Sequence, residues 1–156
     1  MNKKIGEIMD TEVFTAHESD SVGKVLEVLV DSKTSGVPIV NDDNRVVGFI
    51  SDGDIMKFIA KQDPRIIDMT SFITVWYDTE SFEKKLEDLQ ELNVMELATT
   101  KVISVDVDFD IDEVAKVLGK KKIKKVPVLK DGKLVGVISR SNIIRYIVSS
   151  HLKSAE

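Results

Sequence analysis

The sequence predicts a mixed α/β (α+β) fold made of two β-α-β-β-α repeats packed about a pseudo-twofold axis. Three observations carry that expectation. First, the chain overlays on itself with an offset of 89 residues, Val37-Pro38-Ile39-Val40 falling on Val126-Pro127-Val128-Leu129. After the loss of one loop residue, Val46-Val47-Gly48-Phe49-Ile50-Ser51 falls on Leu134-Val135-Gly136-Val137-Ile138-Ser139. Second, apolar residues recur at i, i+3, i+4 and i+7 in equivalent places, Val22, Val25, Leu26 and Leu29 against Ile111, Val114, Ala115 and Leu118, which is one face of a helix. Third, Asp131-Gly132 stands between apolar runs, a strong hairpin signal.

Each copy reads in the same order. A short strand (Val13–Ala16; Val102–Val105) precedes the amphipathic helix. A strand beginning at Val37-Pro38 or Val126-Pro127 follows, and a tight turn joins it to a return strand that ends at Ser51 or Ser139. A second helix carries Ile55, Met56 and Ile59, or Ile143, Ile144 and Ile147. A unit of about 50 residues buries too little of its own apolar surface, so the copies are expected to pack on each other. The expected blocks are repeat 1 at 1–60, an insert at 61–91, repeat 2 at 92–152 and a tail at 153–156. In the insert, Asp63-Pro64 stops a helix, Ile73–Tyr77 is extended, and Thr79–Asn93 is helical with Phe82, Leu86, Leu89 and Leu92 on a core or partner face.

Composition bounds the function. There are 22 Lys+Arg against 27 Asp+Glu, a net charge of −5, which gives no general attraction to nucleic acid or anionic lipid. The absence of cysteine excludes disulfides, thiolate metal sites and a thiol nucleophile. No apolar run approaches the ~18 residues of a spanning helix, and Met1–Glu7 lacks a signal-peptide core, so a cytoplasmic protein without a membrane partner is expected.

The residues with chemistry lie at the starts of the second helices. Gly48-Phe49-Ile50-Ser51-Asp52-Gly53-Asp54 is echoed by Gly136-Val137-Ile138-Ser139-Arg140-Ser141-Asn142. Ser-x-x-Asp/Asn is first a capping box, the hydroxyl accepting from a free helix amide while the N3 side chain reaches back. The same atoms suit a second task. A helix N-terminus favours phosphate, and a carboxylate in its first turn is a strong acceptor for the adjacent hydroxyls of a ribose. Pro38 and Pro127 donate nothing to a ladder and mark interrupted pairing, where backbone could read an adenine edge. Val37, Ile39, Phe14 and their counterparts would flank its faces.

These motifs, duplicated and in order, resemble the cystathionine β-synthase-type (CBS) domain, which occurs as tandem pairs called Bateman modules. The resemblance covers nearly everything outside 61–91. It implies a stand-alone, non-catalytic regulatory or sensor module that binds an adenosine ligand (AMP, ADP, ATP, S-adenosylmethionine or a cyclic dinucleotide) in a cleft between the repeats. Asp54 and Asn142 would hold ribose, and Ser51 and Ser139 would meet ribose or phosphate. Backbone at Thr15, Val37, Pro38, Ser104, Val126 and Pro127 would meet the base. Arg140 would meet a phosphate and offset the missing charge of Asn142, which otherwise makes the Asp54 site the stronger. A homodimer and an effector protein are the implied partners, and no cofactor is required beyond the effector itself. The rival reading is a constitutive dimerisation module whose capping boxes only cap.

Other charged and polar residues add little. Lys120-Lys121-Lys122-Ile123-Lys124-Lys125 is a solvated helix end or a phosphate-neutralising rim. Asp106, Asp108, Asp110 and Asp112 lack the glycine and terminal glutamate of a calcium loop, which leaves Mg²⁺ only as the companion of a nucleotide. The histidines, His17 in a loop and His151 in a frayed terminus, belong to no catalytic motif, and an enzyme is not expected.

Overall fold

A computed structural model describes residues 3–62, 79–121 and 123–152, without the side chains of 61, 62 and 79–82. The elements are β1 Ala16–His17, α1 Val22–Asp31, β2 Gly36–Val40, β3 Val46–Ser51, α2 Asp52–Gln62, α3 Thr79–Glu91, β4 Val105–Asp106, α4 Ile111–Lys120, β5 Lys125–Lys130, β6 Lys133–Ser139 and α5 Arg140–Ile147. They form two three-stranded sheets, ordered β1-β2-β3 and β4-β5-β6, with five helices among the described residues. The β-α-β-β-α order is therefore present twice. The expected strand Ile73–Tyr77, the Asp63-Pro64 stop and the Phe82 side chain lie outside what is described.

The chain divides into two compact units. The β1–β3 unit comprises Phe14–Asn41 and Val47–Lys101; the β4–β6 unit comprises Met1–Val13, Asp42–Val46 and Val102–Glu156. The units thus cross the sequence blocks, because a short arm ahead of each repeat docks on the other repeat's sheet. In the β4–β6 unit, Asp10 bridges Val137 on β6, and Ile5 N donates to Phe109 O at 2.9 Å. In the β1–β3 unit, Thr99 bridges Phe49 on β3, and Val94 N donates to Asp20 O at 2.9 Å. Both arms contain one 3-10 turn, Ile5–Glu7 and Val94–Glu96, and both turns bury an aliphatic anchor, Ile5 and Val94 at 0% exposure. Each anchor contributes roughly 1.5–3 kcal/mol of burial that the arm could not gain alone.

Each unit has its own core. Val22, Val25, Leu29, Val37, Ile39, Ile50 and Ile55 pack with Leu89 of α3 and Val94 in one. Ile111, Val114, Leu118, Val126, Val128, Ile138 and Ile143 pack with Ile5 in the other. The α3 stripe is core, with Leu89 buried and Leu86 and Leu92 against it. On the second helices Ile55 and Ile143 are buried, whereas Met56 and Ile144 are 63% and 59% exposed.

The first strand of each repeat forms three residues later than expected. β1 pairs parallel to β2 only from Ala16 opposite Ile39, and β4 pairs with β5 only from Val105 opposite Val128. Both registers begin one residue past Pro38 or Pro127, which have no N–H to give. The interruption is one-sided, because Pro127 still sits opposite Val137 in the antiparallel ladder. That ladder closes through Asp131 and Gly132 at φ 53° and 79°, the two positive values a tight hairpin needs. His17 belongs to β1 and contacts Ser19 Oγ through Nδ1 at 2.6 Å. His151 lies in a π-helical turn, Val148–Leu152, edge-on to Tyr146 at 6.1 Å, rather than in a frayed end.

Candidate functional site

Both predicted capping boxes are formed. At the α2 mouth, Ser51 Oγ accepts from Asp54 N at 3.3 Å, while Asp54 Oδ2 accepts from Ser51 N at 3.0 Å and Ser51 Oγ at 3.1 Å. At the α5 mouth, Ser139 Oγ accepts from Asn142 N at 3.2 Å, and Asn142 Oδ1 accepts from Ser139 N and Oγ, both at 2.7 Å. Capping accounts for one carboxylate oxygen of Asp54. The other, Oδ1, accepts from the hydroxyl of exposed Thr99 at 3.2 Å.

Asn142 has a different standing from the one its sequence position suggests. It is 4% exposed, and its Nδ2 donates to Ile8 O and to Asp10 Oδ1, both at 3.2 Å. Two donations and two acceptances exhaust a carboxamide, so Asn142 has nothing left to offer a ribose. The acceptor at this mouth is Asp10, which is exposed and spends one of about four lone-pair sites on Asn142. Asp10 is the arm residue equivalent to Thr99, 89 positions earlier. Both mouths therefore carry carboxylate, from Asp52 and Asp54 on the helix in one case and from Asp10 on the arm in the other. The charge that the Asn142 position lacks thus stands on the arm at this mouth.

The glycine of the motif admits the arm. A Cβ on Gly136 would lie 2.5 Å from Met9 Sδ and 2.8 Å from Asp10 O; one on Gly48 would lie 3.3 Å from both Ile39 Cδ1 and Thr99 O. Gly48 and Gly136 thus let the backbone that carries Thr99 or Asp10 cross the strand just before the helix mouth. The motif displayed the glycine, but its purpose was invisible without the crossing segment. The one available signal for Asp10 was the repeat offset carried further upstream, where Lys4–Asp10 falls on Asn93–Thr99.

Two further expectations need correction. Arg140 is occupied with the fold, its Nε donating to Ile123 O at 2.9 Å and its Nη2 to Leu118 O at 3.3 Å. It binds the end of α4, whose terminal carbonyls lack intrahelical partners. The side chains of Val37, Ile39, Val126 and Val128 are at most 1% exposed and belong to the cores, so they do not flank a ligand. Phe14 and Ile103, equivalent to each other, are 52% and 36% exposed and remain open to that part. Thr15 and Ser104 lie directly ahead of β1 and β4, and Pro38 and Pro127 are buried where the parallel pairing begins.

The remaining charged residues fit the helix-end reading. Lys120 lies in the last turn of α4 and Lys121 at its C-cap, where cations meet the negative dipole end; Lys122 lies outside the described residues. Lys125, the first residue of β5, is half-buried, and burial pushes its ammonium below the usual range while the Asp10 charge partly opposes this. Asp110 pairs with Lys4 at 2.8 Å and Asp106 Oδ1 accepts from Asp108 N at 2.9 Å. No helix among the described residues is long and apolar enough to cross a membrane.

Two β-α-β-β-α units, each with a capped helix mouth reached by a crossing arm, define a tandem repeat protein of one known class. The family model described as "CBS domain" matches residues 5–61 and 94–149, and the chain belongs to the CBS domain family. It is 29% identical over 153 residues to the MJ1426 protein of Methanocaldococcus jannaschii, covering 92% of this chain and 90% of that one. Similarity to CBSX1 of Arabidopsis thaliana, a CBS domain-containing chloroplast protein, is 28% over 147 residues, which span 90% of this chain but 62% of that protein. Among solved structures, CBSX2 in complex with AMP has a TM-score of 0.71 at 24% identity, covering 94% of this chain and 96% of that one. The CBS domain pair of MJ0100, in complex with 5′-methylthioadenosine and S-adenosylmethionine, has 0.69 at 23%, covering 93% and 99%. These likenesses show the fold.

Proposed function

We propose that the protein is a non-catalytic regulatory module that binds adenosine ligands, AMP among them, at the α2 and α5 mouths. One observation carries the reading: both mouths present a carboxylate at a helix N-terminus, although the carboxylate comes from different places in the two repeats. Capping requires no such restoration, since Ser139 and Asn142 complete the α5 box without Asp10. A ribose does require it, because hydroxyl groups bound to a charged acceptor gain roughly 1.5–3 kcal/mol against ~0.5–1.5 for a neutral one. Asp54 with Thr99 would hold ribose at one mouth and Asp10 at the other. Exposed Phe14 and Ile103 would contact the base beside Thr15 and Ser104. The AMP complex of CBSX2 and the nucleoside complexes of the MJ0100 pair support the ligand class.

Binding becomes regulation only where a ligand favours one conformation or one partner, and an effector protein belongs to this reading. A homodimer does too. Met56 and Ile144, equivalent residues on α2 and α5, are large, apolar and exposed, which also favours the rival reading of a dimerisation module. Titration calorimetry of the whole chain with AMP, adenosine, ATP and S-adenosylmethionine separates the two. Saturable binding that Asp54→Asn and Asp10→Asn together weaken at least about tenfold supports the ligand reading, and no heat from any of the four at millimolar concentration refutes it.

A further inference from the structure

We propose that Ile5 is a positioning residue for the α5 mouth, seating the arm that ends at Asp10 so that arm docking and ribonucleoside binding there form one coupled equilibrium; this rests on the reading of Asp10 as the ribose acceptor. Backbone holds Asp10 at the mouth, its N donating to Val137 O at 2.9 Å and its O accepting from Val137 N at 3.0 Å. Upstream, Ile5 N donates to Phe109 O at 2.9 Å, and the Ile5 side chain is fully buried. Ile5 is a member of the β4–β6 core, whereas Ile8 and Met9 are only partly buried against it. The bed is close-fitting, since a Cβ on Gly6 would lie 2.7 Å from Val107 Cγ2. One apolar anchor and a few backbone bonds therefore decide where the Asp10 carboxylate stands.

The α5 helix does not replace that carboxylate. Its capping pair, Ser139 and Asn142, carries no charge, and Asn142 Nδ2 is spent on the arm itself, on Ile8 O and Asp10 Oδ1. A ribose that needs a charged acceptor thus prefers the molecule with its arm docked, and by reciprocity the bound ligand holds the arm down. The affinity of this mouth scales with the fraction of molecules whose arm is docked. The α2 mouth lacks the dependence. Asp54 belongs to α2, and the crossing arm, anchored by Val94, adds only the Thr99 hydroxyl at 3.2 Å. Segments held by few buried side chains open at less cost than a core, so the α5 mouth is the one whose acceptor can be withdrawn.

Titration calorimetry with AMP on the full chain carrying Asp54→Asn, which leaves the α5 mouth to be read, tests the assignment. Adding Ile5→Ala should raise the dissociation constant about tenfold or more, and Ile5→Val should restore it to within about threefold. A merely structural Ile5 would lower the urea midpoint of Ile5→Ala and leave the constant of the folded protein unchanged; that result overturns the inference. Hydrogen exchange of the Asp54→Asn chain, with Ile5 intact, gives a second test. AMP at a hundred times its dissociation constant should slow the Ile5 and Asp10 amides about a hundredfold. Unchanged rates at those amides while AMP is bound also overturn the inference, and both contrary results leave the ribonucleoside reading intact. If the Asp54→Asn chain binds no AMP at millimolar concentration, the reading of Asp10 as acceptor falls and this inference with it.

Discussion

At the scale of the residue, Asn142 and Asp54 occupy equivalent positions and do different work. Asn142 is a buried connector that ties Ser139, Ile8 and Asp10 together, whereas half-buried Asp54 keeps one oxygen for Thr99. Asn142→Ala should therefore act on stability, by about 1–3 kcal/mol, because it removes a buried carboxamide and leaves the half-buried Ser139 and Ile8 groups without their partner. Urea unfolding that moves by less than about 0.5 kcal/mol would contradict the connector role. Asp54→Ala should cost only ~1 kcal/mol of cap stability while lowering ligand affinity at α2 at least about tenfold, as titration would show. Lys125 adds a pH dependence. Between its lowered pKa and 10.5 the unfolded chain binds more protons than the folded one, so its contribution makes stability rise with pH in that window. Urea midpoints between about pH 8 and about pH 10 should rise less in Lys125→Met than in the parent, and an equal rise would contradict a buried amine.

At the scale of the element, the arms that cross to the opposite sheet decide the site. Gly136→Ala sets a Cβ against Met9 Sδ and Asp10 O, the latter backbone that cannot swing away. It should cost about 1–3 kcal/mol and weaken binding at α5. Gly48→Ala meets its neighbours at 3.3–3.4 Å and should cost less. Denaturation of the two variants side by side checks the order. The elements themselves were legible because helical spacing, the Asp131-Gly132 turn and the Pro strands are local signals. The late start of β1 and β4 was not, since it depends on which residue across the sheet follows a proline. Asp10 escaped for the same reason. Nothing within Met9-Asp10-Thr11 marks a site until the arm is seen against Gly136.

At the scale of the molecule, the duplication was readable as a repeat of patterns, and so was membership in the CBS family. The exchange of arms was not, because offset arithmetic says which segments are equivalent but not which sheet each segment joins. The proposed homodimer would use Met56 and Ile144, each large, apolar and exposed. Light scattering should return twice the monomer mass, and Met56→Glu with Ile144→Glu should return a folded monomer. A parent that is monomeric at micromolar concentration would remove the dimer.

The central claim is that each helix mouth holds a ribonucleoside through one carboxylate, Asp54 or Asp10. The most direct measurement is the melting temperature of the parent and of the Asp54→Asn, Asp10→Asn double variant as AMP is added. The account predicts that AMP at a hundred times its dissociation constant stabilises the parent by ~2.7 kcal/mol, roughly 5–11 °C, and moves the double variant far less at the same concentration. Equal shifts in both proteins, or none in the parent at millimolar AMP, would contradict it.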